Sequence, residues 1–196
     1  IKDGEGSMLA VFPFFHSAGF TAIQNMCIWS GWGAVLVPRP ETGIIVALLK
    51  KYRPSFVPGV PTIFVGLLND PRFRALDFSF VRGFFAGAAP LSTDTIRDLK
   101  ELTGAMIVNV YGLTETYGPA AVCAKHEDWL ELPLDEQVRM NGRQGVRYHL
   151  ERDVRVLDPE TMQPVPQDGE TMGEIMFKGN IAMKGYLKNP QATEEA

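Results

Sequence analysis

Five short apolar runs, each closed by a turn, restrict the possible folds of this chain more than any other feature. They are Met8 to Phe15, Ala34 to Val37, Ser55 to Val60, Val81 to Ala86 and Ala105 to Val108. A strand that is apolar at nearly every position is covered on both faces, which is the habit of parallel sheets. The segments between the runs read as helices. Ala18 to Ser30 follows Ser17, a residue suited to cap its start, and Gly31-Trp32-Gly33 stops it. Thr42 to Lys51 ends in Lys50, Lys51 and Arg53, which favour a helix's negative end. Pro61 opens a helix to Asn69, and Ser92-Thr93-Asp94 caps another that runs to about Leu102. Alternation of strand and helix predicts an α/β fold, a parallel sheet with flanking helices.

The pattern changes after Tyr117-Gly118-Pro119. Ala120 to Ala124 is strand-like, Glu127 to Met140 is charged and irregular or helical, and 141–145 is a loop. Val154 to Asp158 and Glu174 to Lys178 read as short strands joined by a turn-rich stretch with three prolines. Such spacing predicts a short β-rich, barrel-like subdomain. The expected division is 1–145 for the α/β part and 146–196 for the β-rich part, with the boundary between Arg143 and Arg152.

Composition excludes several classes of function. The chain has 196 residues, 45% of them hydrophobic, enough for a sizeable core. Its 19 Lys and Arg against 23 Asp and Glu leave no basic surplus, so no nucleic-acid partner is expected. Cys27 and Cys123 lie far apart and read as reduced packing residues. With only His16, His126 and His149, a His/Cys metal cluster is not expected. No apolar run reaches the ~18 residues of a membrane span. Ala18 to Val37 comes nearest but is interrupted by polar residues and reads as a buried helix plus strand.

Ligands of parallel α/β sheets bind beyond the carboxyl ends of the strands. The fifth run leads straight into Asn109-Val110-Tyr111-Gly112-Leu113-Thr114-Glu115-Thr116. Gly112 lets backbone approach a ligand, Thr114 offers a hydroxyl to a phosphate, and Glu115 offers hard oxygen to magnesium. A strand end with a tight turn and a surface Glu would explain the same residues. Three further stretches bear on the choice. They are Pro13-Phe14-Phe15-His16-Ser17-Ala18-Gly19, Gly87-Ala88-Ala89-Pro90-Leu91-Ser92, and Gly173-Glu174-Ile175-Met176-Phe177-Lys178-Gly179 running on to Lys184-Gly185-Tyr186-Leu187.

In this order the four stretches resemble the adenylate-forming superfamily, which includes acyl-CoA synthetases, luciferases and adenylation domains of peptide synthetases. The resemblance runs along nearly the whole chain and looks closest to fatty-acyl-CoA ligases. It implies an ATP-dependent ligase that joins a carboxylic acid to AMP and then passes the acyl group to CoA, with Mg2+ as cofactor. It implies that His16 orients the acyl carboxylate and that Gly87, Ala88 and Ala89 line the adenine and acyl pockets. It implies that Asn109 bonds the purine amine, that Tyr111 packs beside the adenine, and that Thr114 and Glu115 hold phosphate and metal. Val110, Thr116, Tyr117 and Gly118 would shape the acyl wall, or simply pack.

Gly173 to Leu187 lacks the order of a phosphate-binding loop and reads as structural, with Lys178 and Lys184 in solvent. The resemblance places a phosphate loop before Ile1, and a ribose-binding Asp, a hinge and a catalytic Lys after Ala196. The chain is accordingly expected to be an internal fragment, silent or very weak by itself. The half before the central motif looks like long-chain ligases. The half after it looks more like the medium-chain and aryl-acid branch, which leaves acyl length open. A luciferase, a peptide-synthetase domain and a non-catalytic binding module or scaffold remain rivals. A cytoplasmic location is expected, and homo-oligomerisation is left open.

Overall fold

The computed structural model describes residues 6–123 and 127–196. Residues 1–5, the expected strand end at Ala124, and His126 lie outside the described residues. The five apolar runs form β1 (Ser7–Ala10), β2 (Gly33–Leu36), β3 (Phe56–Gly59), β4 (Gly83–Gly87) and β5 (Met106–Leu113). All five are parallel, in the spatial order β2-β1-β3-β4-β5. After β5 the chain folds straight back as β6 (Gly118–Val122), antiparallel to it, and β7 (Val146–Arg147) adds to β6.

Between the strands lie a π-helical segment, Ala18–Asn25, continuing as α1 (Met26–Ser30), then α2 (Thr42–Tyr52), α3 (Pro61–Leu68), α4 (Pro71–Arg74) and α5 (Thr93–Thr103). α6 (Leu134–Asn141) follows β6. Ser92 caps α5 as expected, its Oγ accepting from the Thr95 amide at 3.2 Å, and Gly104 ends that helix at φ 65°. Ser17 does not cap the first helix. It already has helical dihedrals, and the free amide of Ala18 is taken by His16 Nδ1 at 3.1 Å.

Alternation along the strands sends side chains to two cores. Leu9, Val57, Phe84 and Ile107 pack under α2, α3 and α5. Met8, Ala10, Phe56 and Phe85 face the other way, toward Ile23 and Cys27 of the first helix. The sheet is therefore covered by α2, α3 and α5 on one side and by the first helical segment on the other. The expected burial of Ala18 to Ser30 is met only on that inner stripe. Ile28 is 71% and Trp29 93% exposed. The strand expected to run to Phe15 ends at Ala10, because Pro13 and the His16 amide bonded to its carbonyl turn the chain, leaving Phe15 94% exposed.

The β-rich part is a two-stranded antiparallel ribbon, β8 (Glu151–Leu157) with β9 (Glu174–Gly179), and not a barrel among the described residues. The last segment, α7 (Pro190–Glu195), is capped by Asn189 Oδ1, which accepts from the Ala192 amide.

Candidate functional site

The strand order reverses between β1 and β3. Chain leaving β1 passes to one face of the sheet, and chain leaving β3 and β4 to the other. A crevice forms where such connections diverge, beyond the carboxyl ends of the strands. Here a cavity of about 330 Å³ occupies it, on the face shared with the first helix. β1 delivers Phe12 and His16 to it, β3 delivers Pro58, and β4 delivers Phe85, Gly87 and Ala88. β5 contributes Val110, Gly112 and Leu113, and the turn after β5 contributes Thr114 and Glu115.

Of the residues singled out from sequence, His16, Gly87, Ala88, Val110, Gly112, Thr114, Glu115 and Gly118 thus share one cavity. An imidazole whose Nδ1 accepts a backbone N–H carries its proton, when neutral, on Nε2. His16 therefore keeps one donor for a ligand. Ala88 sits at the cavity mouth at φ 68°, a left-handed conformation that a residue with a Cβ rarely adopts. Such strain gathers at ligand-facing turns.

The other expected residues lie elsewhere. Asn109 and Tyr111 point to the opposite face of β5 from Val110 and Gly112, as alternation requires. Asn109 is 4% exposed and its amide donates to the Asn141 carbonyl at the end of α6, so it is not aimed at this cavity. Tyr111 packs its ring on Phe177 of β9, centroids 5.9 Å apart. Ala89 is exposed beside the mouth and does not line it.

Thr116 does not line the cavity. Its hydroxyl accepts from the Leu113 amide at 3.0 Å and lies 3.0 Å from the Gly118 carbonyl, holding the turn closed. Tyr117 caps that turn at φ 60° and is half exposed outside the cavity. Gly112 lines the cavity and has a further reason to be glycine: a Cβ there would stand 1.9 Å from the Gly118 carbonyl oxygen, so the hairpin itself demands it.

Glu115 is held from outside the sheet. Its Oε1 accepts from the Tyr186 hydroxyl at 2.8 Å, and its carbonyl accepts from the Met183 amide at 2.7 Å. The phenol's hydrogen bond keeps the Glu115 carboxyl below its ordinary range and the Tyr186 phenol above its own. Lys178 and Lys184 are exposed, as expected.

Sequence reasoning missed Thr21, Pro58, Phe85 and Leu113 in the cavity wall. The signal for Phe85 was present. It stands two residues before Gly87 on one strand, so both face the same way.

Among the described residues no three His, Cys, Asp or Glu converge as a metal cage. One carboxylate with a neighbouring hydroxyl fits magnesium of the kind that enters with nucleotide phosphates, which supply most of its ligands. Among the described residues no Lys or Arg lines the cavity.

Comparison with known proteins follows the same lines. The family model described as "AMP-binding enzyme" matches residues 2–187. An acetate–CoA ligase of Humulus lupulus is 38% identical over 195 residues, covering 98% of this chain and 34% of the relative. A peroxisomal acetate/butyrate–CoA ligase of Arabidopsis thaliana is 35% identical, covering 95% and 33%. The crystal structure of ATP-bound MatB from Rhodopseudomonas palustris superposes with a TM-score of 0.79 at 28% identity, covering 98% of this chain and 35% of that one. The chain thus spans about a third of the length of the curated relatives it matches.

Proposed function

Because this chain belongs to the family of AMP-binding enzymes, we propose that the whole protein is an ATP-dependent acid–thiol ligase acting on a small carboxylic acid. The observation that carries this reading is the convergence of His16, the Gly87–Ala88 turn, Thr114 and Glu115 on one apolar cavity at the sheet's switch point. In the first step a carboxylate oxygen attacks the α-phosphorus of ATP, and the bond to pyrophosphate breaks. In the second the CoA thiol attacks the acyl carbon, and AMP leaves. Two anions must meet, so fixed donors do much of the work. His16 Nε2–H donates to the acyl carboxylate, and the Thr114 hydroxyl to a phosphate oxygen. Glu115 is the residue to hold magnesium, which would neutralise phosphate charge. The adenine would lie across the Gly87 to Ala89 turn, with the Tyr111 edge of β5 beside it and Asn109 fixing that strand from below.

A small acid is favoured over a long one. A volume of about 330 Å³ sits at the lower end of the ~300–1,000 Å³ usual for small-molecule pockets. Phe12 and Phe85 add bulk to its wall. The relatives named for acetate and butyrate support the same choice. A fatty acid would require the cavity to lengthen past these rings. These 196 residues alone are proposed to be nearly silent, since among the described residues no Lys or Arg lines the cavity to meet the phosphates. We further propose the subdomain division between 143 and 152, a cytoplasmic site of action, and a ligase that can self-associate. Several relatives are named as peroxisomal, which makes fractionation the check on location.

The test is acid-dependent ATP–pyrophosphate exchange by the full-length protein across acetate, butyrate, octanoate and benzoate, followed by CoA-dependent release of AMP. Exchange with a short or aryl acid, completed by CoA, is expected. Exchange without thioester formation would instead favour another adenylating enzyme. A folded protein that exchanges with no acid and binds no ATP would overturn the reading.

A further inference from the structure

We propose that Tyr186 is a positioning residue for Glu115, and that the turn from Gly185 to Asn189 with helix α7 is the mount that aims it. The proposal rests on the ligase reading above, in which Glu115 holds magnesium. Sequence alone makes Lys184-Gly185-Tyr186-Leu187 a connecting turn; the structure gives it a task.

The mount is built residue by residue. Gly185 lies at φ 145°, and a Cβ there would come within 2.5 Å of Thr193 Cγ2, so only glycine lets α7 close over the turn. The Tyr186 amide donates to Thr193 Oγ1 at 2.9 Å. That hydroxyl donates in turn to the Asn189 carbonyl at 2.8 Å. The Asn189 amide returns to the Tyr186 carbonyl at 3.2 Å, and the Asn189 side chain caps α7. The backbone of Tyr186 is thus pinned on both sides before its side chain leaves the turn.

Two contacts then reach residue 115, 71 positions away in sequence: the phenol to Oε1, and the Met183 amide to the Glu115 carbonyl. One fixes the carboxylate and the other fixes the backbone that carries it. A carboxylate with one oxygen held presents the second in a set direction. That is what a metal with strict octahedral geometry requires. The pair is exposed, so it adds little to stability; its effect is to aim the carboxylate before the ligand arrives.

Tyr186→Phe in the full-length protein removes the hydroxyl and nothing else. Binding of Mn2+·ATP, followed by electron paramagnetic resonance and calorimetry without acid substrate, is expected to weaken ~5- to 10-fold, the scale of one ordinary hydrogen bond. The Mg2+ concentration for half-maximal exchange should rise in step. At saturating Mg2+ kcat should stay within about twofold of wild type, and the thermal midpoint should not move. Glu115→Gln with Tyr186→Phe should bind no more weakly than Glu115→Gln alone, because both act through one carboxylate. Thr193→Val, which loosens the mount but keeps the phenol, should weaken binding to a lesser degree. It carries the test should Tyr186→Phe unfold. Wild-type metal–nucleotide binding by the Phe variant, or losses that simply add in the double variant, would overturn the proposal. A wild-type protein that binds no Mn2+·ATP would instead overturn the ligase reading beneath it.

Discussion

Gly112 and Thr116 show how little room the turn after β5 has. The bulge between Tyr111 and Gly112 brings the Gly118 carbonyl to where a Cβ would be, 1.9 Å away, and the obstacle is backbone that cannot rotate aside. Gly112→Ala must therefore open the hairpin. It should destabilise the fold by about 3 kcal/mol, the upper range for overpacking, read as a shift in denaturant midpoint at unchanged slope. Thr116 is almost wholly buried, with its hydroxyl shared between the Leu113 amide and two carbonyls. Thr116→Val should lose ~1–2 kcal/mol. Thr114→Val, two residues earlier on exposed backbone, should leave stability alone while weakening ATP. A comparison of the two variants by thermal unfolding and nucleotide titration separates the turn's scaffold from its ligand face. Were Thr114→Val the destabilising change, the roles would be reversed.

At the scale of elements, the main sheet was readable because its strands announce themselves twice, once by continuous apolar character and once by the turns that close them. Ser92 before α5 and Gly104 after it are local signals with local causes, and both hold. What could not be read is set by partners remote in sequence. Nothing near Asn109 says that its amide is taken by the carbonyl of Asn141, and nothing near Glu115 names Tyr186. The ribbon β8–β9 carries another such case. Glu151 opens β8 opposite Gly179 and is 1% exposed, with neither carboxylate oxygen bonded among the described residues. Arg147 bonds its backbone carbonyl and not its side chain.

Burial pushes the Glu151 carboxyl above its ordinary value of 4.5. The folded state thus holds that proton more tightly than the unfolded state. Below the ordinary value both states are protonated and no penalty exists. As pH rises from there through the raised folded value, stability is lost, and it stays lost above. Glu151→Met, which keeps the length and removes the charge, should stabilise the protein by ~1–3 kcal/mol at neutral pH and flatten this part of the pH profile. Equal gains at pH 4 and pH 8 would mean that packing, and not the proton, is responsible.

Over the whole molecule, one asymmetry locates the site and sets its size. Helices α2, α3 and α5 cover one face of the parallel sheet and one helical segment covers the other, so the space beyond the strand ends is left open on the thinner side. The wall there is made of Phe12 and Phe85 below, with Thr21 from the π-helical segment across from them. Phe85 also packs at a tilt against Phe56, ring centroids 5.4 Å apart, which joins the cavity wall to the smaller core. Cutting back this ring should therefore change both what enters and how firmly the wall stands. Phe85→Ala lengthens the cavity by about a phenyl ring. In the full-length protein it should move the octanoate-to-butyrate ratio of kcat/KM upward by at least tenfold, the discrimination that one or two methylenes carry in an apolar pocket. The ratio is the quantity to measure, because it does not depend on how much of the variant is folded. If both acids fall equally, Phe85 supports the wall without setting its depth. Acid length would then have to be set at Phe12 or Thr21.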